Sequence, residues 1–371
     1  MVSLRNMIVL SLSLFACASW AIPNGFTPTL QITITFPETA YAIGASVTAT
    51  VELSGPAGTH NITVTGPTTP NPNQFSLAVG NSRDVSITMP TTPGTATYTA
   101  TIDGTNPVVS DSETLDVLKL SLLSPSTSGE RFAVGTNQCD VVIRAKVEGP
   151  YNESKGDKVY FYRDSTQKDD LVIKSQAGNT TIVGRRWDVD SEARGHFSFS
   201  VKLKRGATSI STVTAPCRFI RFGWPLTGLI TSDYGMRDGQ LHAGVDIDIS
   251  GATAALYASE NGTAARHTDA DGYGFYIDIA HSDVNVSVSS ETAEPYYETY
   301  AILTRYGHMV DAGRVSGAVD FGTYIGDGDN SGSSTGSHLH FEVRADGTAL
   351  DPNTSQGSTV TQGVQIYPSW L

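Results

Sequence analysis

Two histidines flank a single leucine in the run GSHLHFEV, residues 336–343, in a chain that holds eight histidines among 371 residues. In a strand, successive side chains point to opposite faces, so His338 and His340 share one face while Leu339 and Phe341 share the other. The apolar face can go to a core, which leaves two imidazoles side by side, aimed at something elsewhere in the chain. Glu342, which follows, is expected to face away from His340 and to have no part at a metal. Upstream, HAGVDIDIS places His242 and Asp246 in an H-x3-D arrangement. On a helix that spacing shares a face. However, Gly244, the β-branched Val245, Ile247 and Ile249, and the alternation after Asp246 predict a turn running into a strand, with Gly244 supplying the bend.

Alone, H-x-H or H-x3-D is a common surface pattern; together they point to a metal. Ligands of type His, Asp and His suit zinc, which takes neutral imidazole nitrogen and carboxylate oxygen in a roughly tetrahedral site with one position left for water. A single carboxylate leaves about one net positive charge, which favours a lowered pKa for that water. Three ligands leave one of the paired histidines over. If His340 binds the metal, His338 lies roughly 7 Å along the same face, where a group can act on water or substrate. His308, in RYGHMV, is a further candidate. Two uncoordinated histidines near such a water can serve as general base and as stabiliser of the developing oxyanion. The chain has no H-E-x-x-H, so no glutamate base of that kind is encoded.

Strands must position these groups. Residues 27–117 carry LQITITF, SVTATVEL, RDVSITM and ATYTATI, each alternating and each followed by Pro, Gly or Asn turn material. That pattern predicts an immunoglobulin-like sandwich. Residues 118–217 repeat it with CDVVIRAKV, DKVYFYR, HFSFSVKL and STVTAPC. From Phe222 onward glycine becomes frequent, and six of the eight histidines fall after residue 240. No helix of convincing length is predicted, so the expected fold is all-β. It comprises a sandwich over 22–117, a second over 118–217, and a domain over 218–371 that carries the chemistry.

The first 21 residues read as a secretory signal, with Arg5, an apolar Met7–Ala18 stretch and small residues around Ser19-Trp20-Ala21. The apolar run is too short for a membrane span, and no later segment is long enough. A rival reading is lipid attachment at Cys17, because Leu14-Phe15-Ala16-Cys17 approximates such a site. The mature chain is therefore expected to be exported, periplasmic or extracellular, where Cys139 and Cys217 can form one disulfide that staples the second sandwich. A formal charge of −13 argues against nucleic acid and anionic membrane as partners.

The run WPLTGLITSDYGMRDGQLHAGVDIDI, followed by ALYASENGTA, GYGFYIDIAH, YGHM, GTYIGDGDNSGSSTGSHLHFEV and DP, spans about residues 222–353. Over that length the chain resembles the lysostaphin/LytM-type zinc endopeptidases. The resemblance implies a compact, mostly antiparallel β domain with one zinc per chain, which hydrolyses the stem-peptide cross-links of bacterial peptidoglycan. It matches His242, Asp246 and His340 to zinc ligands, and His308 and His338 to two catalytic histidines. All five are present, whereas inactive amidase-activating members have lost some, so the chain is read as active. Two other readings stand beside this one: the same chemistry on glycine-rich protein, and a non-catalytic wall-binding or amidase-activator protein.

One departure from the family is SDVNVSVSSETAEPYYETYAILTR, residues 282–305, where a short hairpin is usual. This insertion leads into the strand of His308 and either reshapes a wall of the cleft or forms a surface extension. Its Tyr296, Tyr297 and Tyr300 are candidates for ligand contact or for packing. His281 is expected to be structural and His267 exposed, with Asp233 and Arg237 at the entrance. SGSSTGS, residues 331–337, is expected to be a flexible lip or the turn that positions His338.

Overall fold

The computed structural model describes residues 28–126, 129–133, 140–168, 173–188, 194–249, 251, 253–288 and 296–368. The expected leader with Cys17, the tip of the insertion and Cys139 lie outside the described residues, as do the side chains of Tyr296 and Tyr297. Among the described residues the only helical turn is a short 3-10 turn at Glu153–Lys155, and the remaining regular structure is strand. Among the described residues no helix is long and apolar enough to cross a membrane.

The chain divides into two compact units. The first holds the described residues up to Thr39, with Ser46–Thr88 and Ala96–Thr114. Here Gln31–Thr35, Ser46–Ser54 and Ser82–Thr88 form an antiparallel sheet. Along Ser46–Ser54, Val47, Ala49, Val51 and Leu53 are buried while Thr48 and Glu52 are exposed, the period-two pattern of a sheet with one face on a core. A second sheet pairs Thr59–Thr65 with Gln74–Ala78 and Gly94–Ile102, and it buries Ile62, Val64, Tyr98 and Ile102. This is an immunoglobulin-like sandwich.

The second unit holds another such sandwich and the C-terminal domain. In the sandwich, Asp140–Glu148 pairs with Thr180–Asp188 on one side and with residues 119–124 on the other. The facing sheet runs through Asp157–Arg163, Gly195–Arg205 and Thr208–Ile220, with Glu130–Ala133 added in parallel. Ile143, Val147, Phe161, Val183, Phe199 and Phe219 fill the space between them. Cys217 is buried in this core as a thiol, and burial pushes its pKa up to about 12.

The C-terminal sheet orders Gly274–Val288, Tyr296–Met309, His338–Ala345, Val245–Asp248 and Gly228–Ser232, each antiparallel to the next. Ile277, Tyr306, Leu339, Phe341, Val343, Val245, Ile247 and Ile230 bury one face in a single core. Each such side chain contributes about 1.5–3 kcal/mol, which fixes the register and commits the alternate residues to the opposite face.

The insertion, in its described parts, is strand. It lengthens two strands, which pair from Asp283↔Ala301 to Val288↔Tyr296, and it bridges the sandwich strand Glu130–Ala133 at Asn285↔Phe132. Val284 and Val286 are buried, Tyr300 packs against the same core, and Asn285 Nδ2 donates to Glu130 Oε2 at 2.9 Å. The second sandwich and the C-terminal domain therefore share one continuous sheet.

Candidate metal centre

His340 lies in the middle of the sheet, directly opposite Asp246 on one neighbouring strand and Gly307 on the other. His242 arrives from a small hairpin, Gly235–Arg237 with Gln240–His242. Gly244 links this hairpin to the strand of Asp246, at the bend expected of it, and its φ is not positive. Its need is close approach: a Cβ there would lie 2.3 Å from the Phe341 carbonyl oxygen.

Three atoms converge at this point. His242 Nε2 lies 3.1 Å from Asp246 Oδ1 and 3.1 Å from His340 Nδ1, and the last two are 2.9 Å apart. Their neighbours decide where the protons sit. His242 Nδ1 is 2.6 Å from the Asp233 carbonyl and also touches the Arg237 guanidinium, so this nitrogen is held on the outer side and Nε2 faces the other two atoms. Arg237 donates to that carbonyl as well, and its side chain is about half exposed at the mouth of the site.

On the other side, His340 Nε2 lies 3.0 Å from Glu342 Oε1. Burial works to raise the Glu342 carboxyl, but donors from His340, Tyr273 and Arg344 hold it down to about 2. Glu342 is thus an ionised acceptor and Nε2 of His340 the donor. This overturns the expectation that Glu342 faces away: residues two apart in a strand share a face, as His338 and His340 do. Burial opposes charge on His340, yet carboxylates on both sides outweigh it and raise its pKa. Burial likewise works to raise Asp246, and the two imidazoles outweigh it and hold its carboxyl well below the usual range.

Even a proton on His340 Nδ1 would serve only one of the three contacts, and with Nε2 donating to Glu342 the neutral ring has none there. Two lone pairs and a carboxylate oxygen so close together call for a cation. A tetrahedral zinc with ligands at about 2.0–2.1 Å keeps its donor atoms about 3.3–3.4 Å apart, which these side chains reach by opening a few tenths of an ångström. Among the described residues this is the one group of three or more His, Cys, Asp or Glu arranged to hold a metal.

The other two histidines flank the trio. Nε2 of His338 is 3.6 Å from Asp246 Oδ1, and its Nδ1 donates to the Gly336 carbonyl at 2.8 Å. His308 stands with its ring 4.6 Å from that of His338, and its Nδ1 donates to the Ser331 carbonyl at 2.7 Å. Burial lowers the His308 pKa, which favours the neutral ring. With each Nδ1 committed to a carbonyl, both rings have Nε2 free for chemistry.

His308 also holds a left-handed φ of 58°, a conformation a non-glycine keeps only where its surroundings over-determine it. Its N–H donates to the Tyr273 carbonyl at 2.8 Å, and its own carbonyl accepts from Asp329 N at 2.7 Å. The Asp329 carbonyl in turn accepts from His338 N at 3.2 Å. Within residues 331–337 the carbonyls of Ser331 and Gly336 hold the rings of His308 and His338, so this segment serves as a turn that positions both.

Beyond Glu342, the residues that went unforeseen are those behind it. Tyr273 donates to Glu342 Oε1 at 2.6 Å, and Arg305, paired with Asp278, lies over the Tyr273 ring. Arg305 stands opposite both Asp278 and Glu342 across the sheet, a charge pattern visible only once register is known. His281 is structural as expected: its buried ring bonds Asn261 and Thr304, and burial lowers its pKa to about 4. His267 is exposed, stacked on Tyr276. A cavity of about 810 Å³ lies at the joint with the second sandwich and is lined by none of the five expected site residues. Its Glu130 and Arg218 are already engaged by Asn285 and Glu260.

Residues 240–352 match the family model of Peptidase family M23. A comparison with curated proteins gave no match. Among solved structures, a mutant catalytic domain of the prophage-encoded M23 protein EnpA from Enterococcus faecalis is 26% identical, covering 34% of this chain and 90% of its own, with a TM-score of 0.26. A zinc-containing peptidase from Vibrio cholerae is 15% identical, over 71% of this chain and 82% of its own, with a TM-score of 0.31. Fibronectin(III)-like modules of CbhA from Clostridium thermocellum are 11% identical, over 51% of this chain and 94% of theirs, with a TM-score of 0.23.

Proposed function

The chain carries a peptidase family M23 domain at residues 240–352 and is a metallopeptidase; from that premise we propose that it is an exported zinc endopeptidase that hydrolyses the peptide cross-links of bacterial peptidoglycan. The observation that carries this is the meeting of His242 Nε2, Asp246 Oδ1 and His340 Nδ1 at 2.9–3.1 Å with too few protons to satisfy them. These three would hold the ion, with His242 Nδ1 held at the Asp233 carbonyl and His340 Nε2 donating to the Glu342 carboxylate, so that the other nitrogen of each ring is turned inward. Bound there, zinc supplies Lewis acidity toward the scissile carbonyl and an acidified water.

The chain's own residues do the rest. His308, kept neutral by burial and held by Ser331, offers Nε2 to take the proton of the attacking water. The same nitrogen can then return that proton to the departing amine. His338, held by Gly336, turns Nε2 toward the Asp246 side and in its protonated form donates to the developing oxyanion. Export is supported by the leader-like first 21 residues, and the wall substrate by the resemblance over residues 222–353.

The test is digestion of purified peptidoglycan by the full chain with and without a zinc chelator. Chelator-sensitive release of new amino termini without new reducing sugars is expected. Release of reducing sugars, or cleavage of a glycine-rich protein in place of wall, would replace the substrate assignment. Absence of stoichiometric zinc would end the catalytic one.

A further inference from the structure

Three consecutive residues, Ser259, Glu260 and Asn261, connect the second sandwich to the strand of His308. We infer that Arg194 and Arg218 of the sandwich, acting through Glu260, are positioning residues for His308; this rests on the peptidase reading above.

Glu260 is fully buried, yet it belongs to the C-terminal domain and finds its counter-charges on the sandwich. Arg194 Nε donates to Oε2 at 2.8 Å and Arg218 Nη2 to Oε1 at 2.7 Å. The backbone N–H groups of Asn261 and Arg221 add bonds at 2.9 and 3.3 Å. Arg194 also bonds the Arg221 carbonyl. A fully buried carboxylate is costly unless its oxygens are paired, and both of its ion-pair partners lie on the sandwich, so the place of Glu260 depends on the sandwich being seated.

The residues on either side carry that placement onward. Ser259 N donates to the Tyr306 hydroxyl at 2.9 Å. The Asn261 carbonyl accepts from His281 Nδ1 at 2.9 Å, which leaves His281 Nε2 to accept from the Thr304 hydroxyl 2.8 Å away. The hydroxyls of Thr304 and Tyr306 are 3.0 Å apart, and both side chains are fully buried. Thr304 and Tyr306 lie four and two residues before His308 on its strand. His308 itself sits at the end of that strand in a left-handed conformation, which its surroundings must enforce. A shift of the 259–261 segment therefore moves the two side chains that anchor the strand, and with them the imidazole.

The test uses the full chain carrying Glu260→Gln, and separately Arg194→Met and Arg194→Lys. Arg194→Met keeps Arg218 on Glu260 and serves if Glu260→Gln fails to fold. On a soluble cross-linked wall peptide, kcat should fall tenfold or more with KM within twofold and zinc still at one per chain, and Arg194→Lys should recover part of the loss. A second readout does not depend on turnover. In protein labelled with 15N-histidine, the Nδ1 proton of His308, bonded to Ser331 in the parent, should shift or exchange faster in the variants. Folded variants with parental kcat and an unmoved His308 signal overturn the inference. A parent that shows the signal but cuts no peptide overturns the peptidase reading instead.

Discussion

Glu342 stands two residues beyond His340 on the same face of one strand and accepts a hydrogen bond from Nε2 of that histidine at 3.0 Å. The pairing decides which ring nitrogen is left to face Asp246. Tyr273 and Arg344 hold the carboxylate in turn, so an ionised, immobile acceptor stands behind the imidazole in the centre of the sheet. Groups of this kind fix the tautomer and orientation of a metal-binding histidine.

Replacing Glu342 by Gln removes the charge and allows the amide to present either a donor or an acceptor to His340. Zinc affinity should fall about 10–100-fold, measured by competition with a chelating dye. Far-UV circular dichroism should be unchanged. Parental affinity in a folded variant would mean that the pair has no bearing on the metal.

His308→Gln should leave zinc content as it is, because none of the three converging atoms belongs to it. The loss should fall on kcat, by about 10²–10⁴-fold. An equal loss of bound zinc would move His308 from proton transfer to metal binding.

Acid stability should depend on His281. Burial lowers its pKa to about 4 in the folded chain, against about 6.5 in an unfolded one. The unfolded state therefore takes up the proton first as pH falls. Stability is full above about pH 6.5 and is lost as pH drops toward 4, by about 3 kcal/mol in all. Denaturant unfolding between pH 7 and 4 checks this, and His281→Gln should flatten that part of the profile. An unchanged slope in the variant would assign the acid sensitivity to other groups.

Gly244→Ala places a Cβ 2.3 Å from the Phe341 carbonyl and 2.9 Å from Glu342 Cγ. Neither neighbour can yield without disturbing the central strand, so a cost of about 1–3 kcal/mol is expected, together with weakened zinc binding. Calorimetry and zinc titration measure both. The same change at Gly239, on the exposed turn of the hairpin, meets no atom within 4 Å; its positive φ of 83° adds local strain there, but zinc binding should be kept.

Alternation, a property of the backbone alone, made much of this legible without coordinates. It placed Leu339 and Phe341 in the core and His338 with His340 on the opposite face, and it marked both sandwiches by their short alternating strands. The same rule, followed one step further, includes Glu342 on the histidine face, so that miss was one of application rather than of information. The insertion was legible as a departure, but not as a joint, because its partner strand Glu130–Ala133 lies some 150 residues earlier in the chain.

By itself, then, the sequence determined an all-β chain with an M23-type region and the residue types of a metal site. Tertiary structure alone decided which atoms meet. His242 and His340 are 98 residues apart and touch only through the register of the central strands. The protons are directed by carbonyls of Asp233, Ser331 and Gly336 and by the carboxylate of Glu342. Three of those acceptors are backbone, which every residue carries, and their direction exists only once the chain is folded. The burial that keeps His308 neutral and sets Glu260 against two arginines is likewise a property of the assembled core.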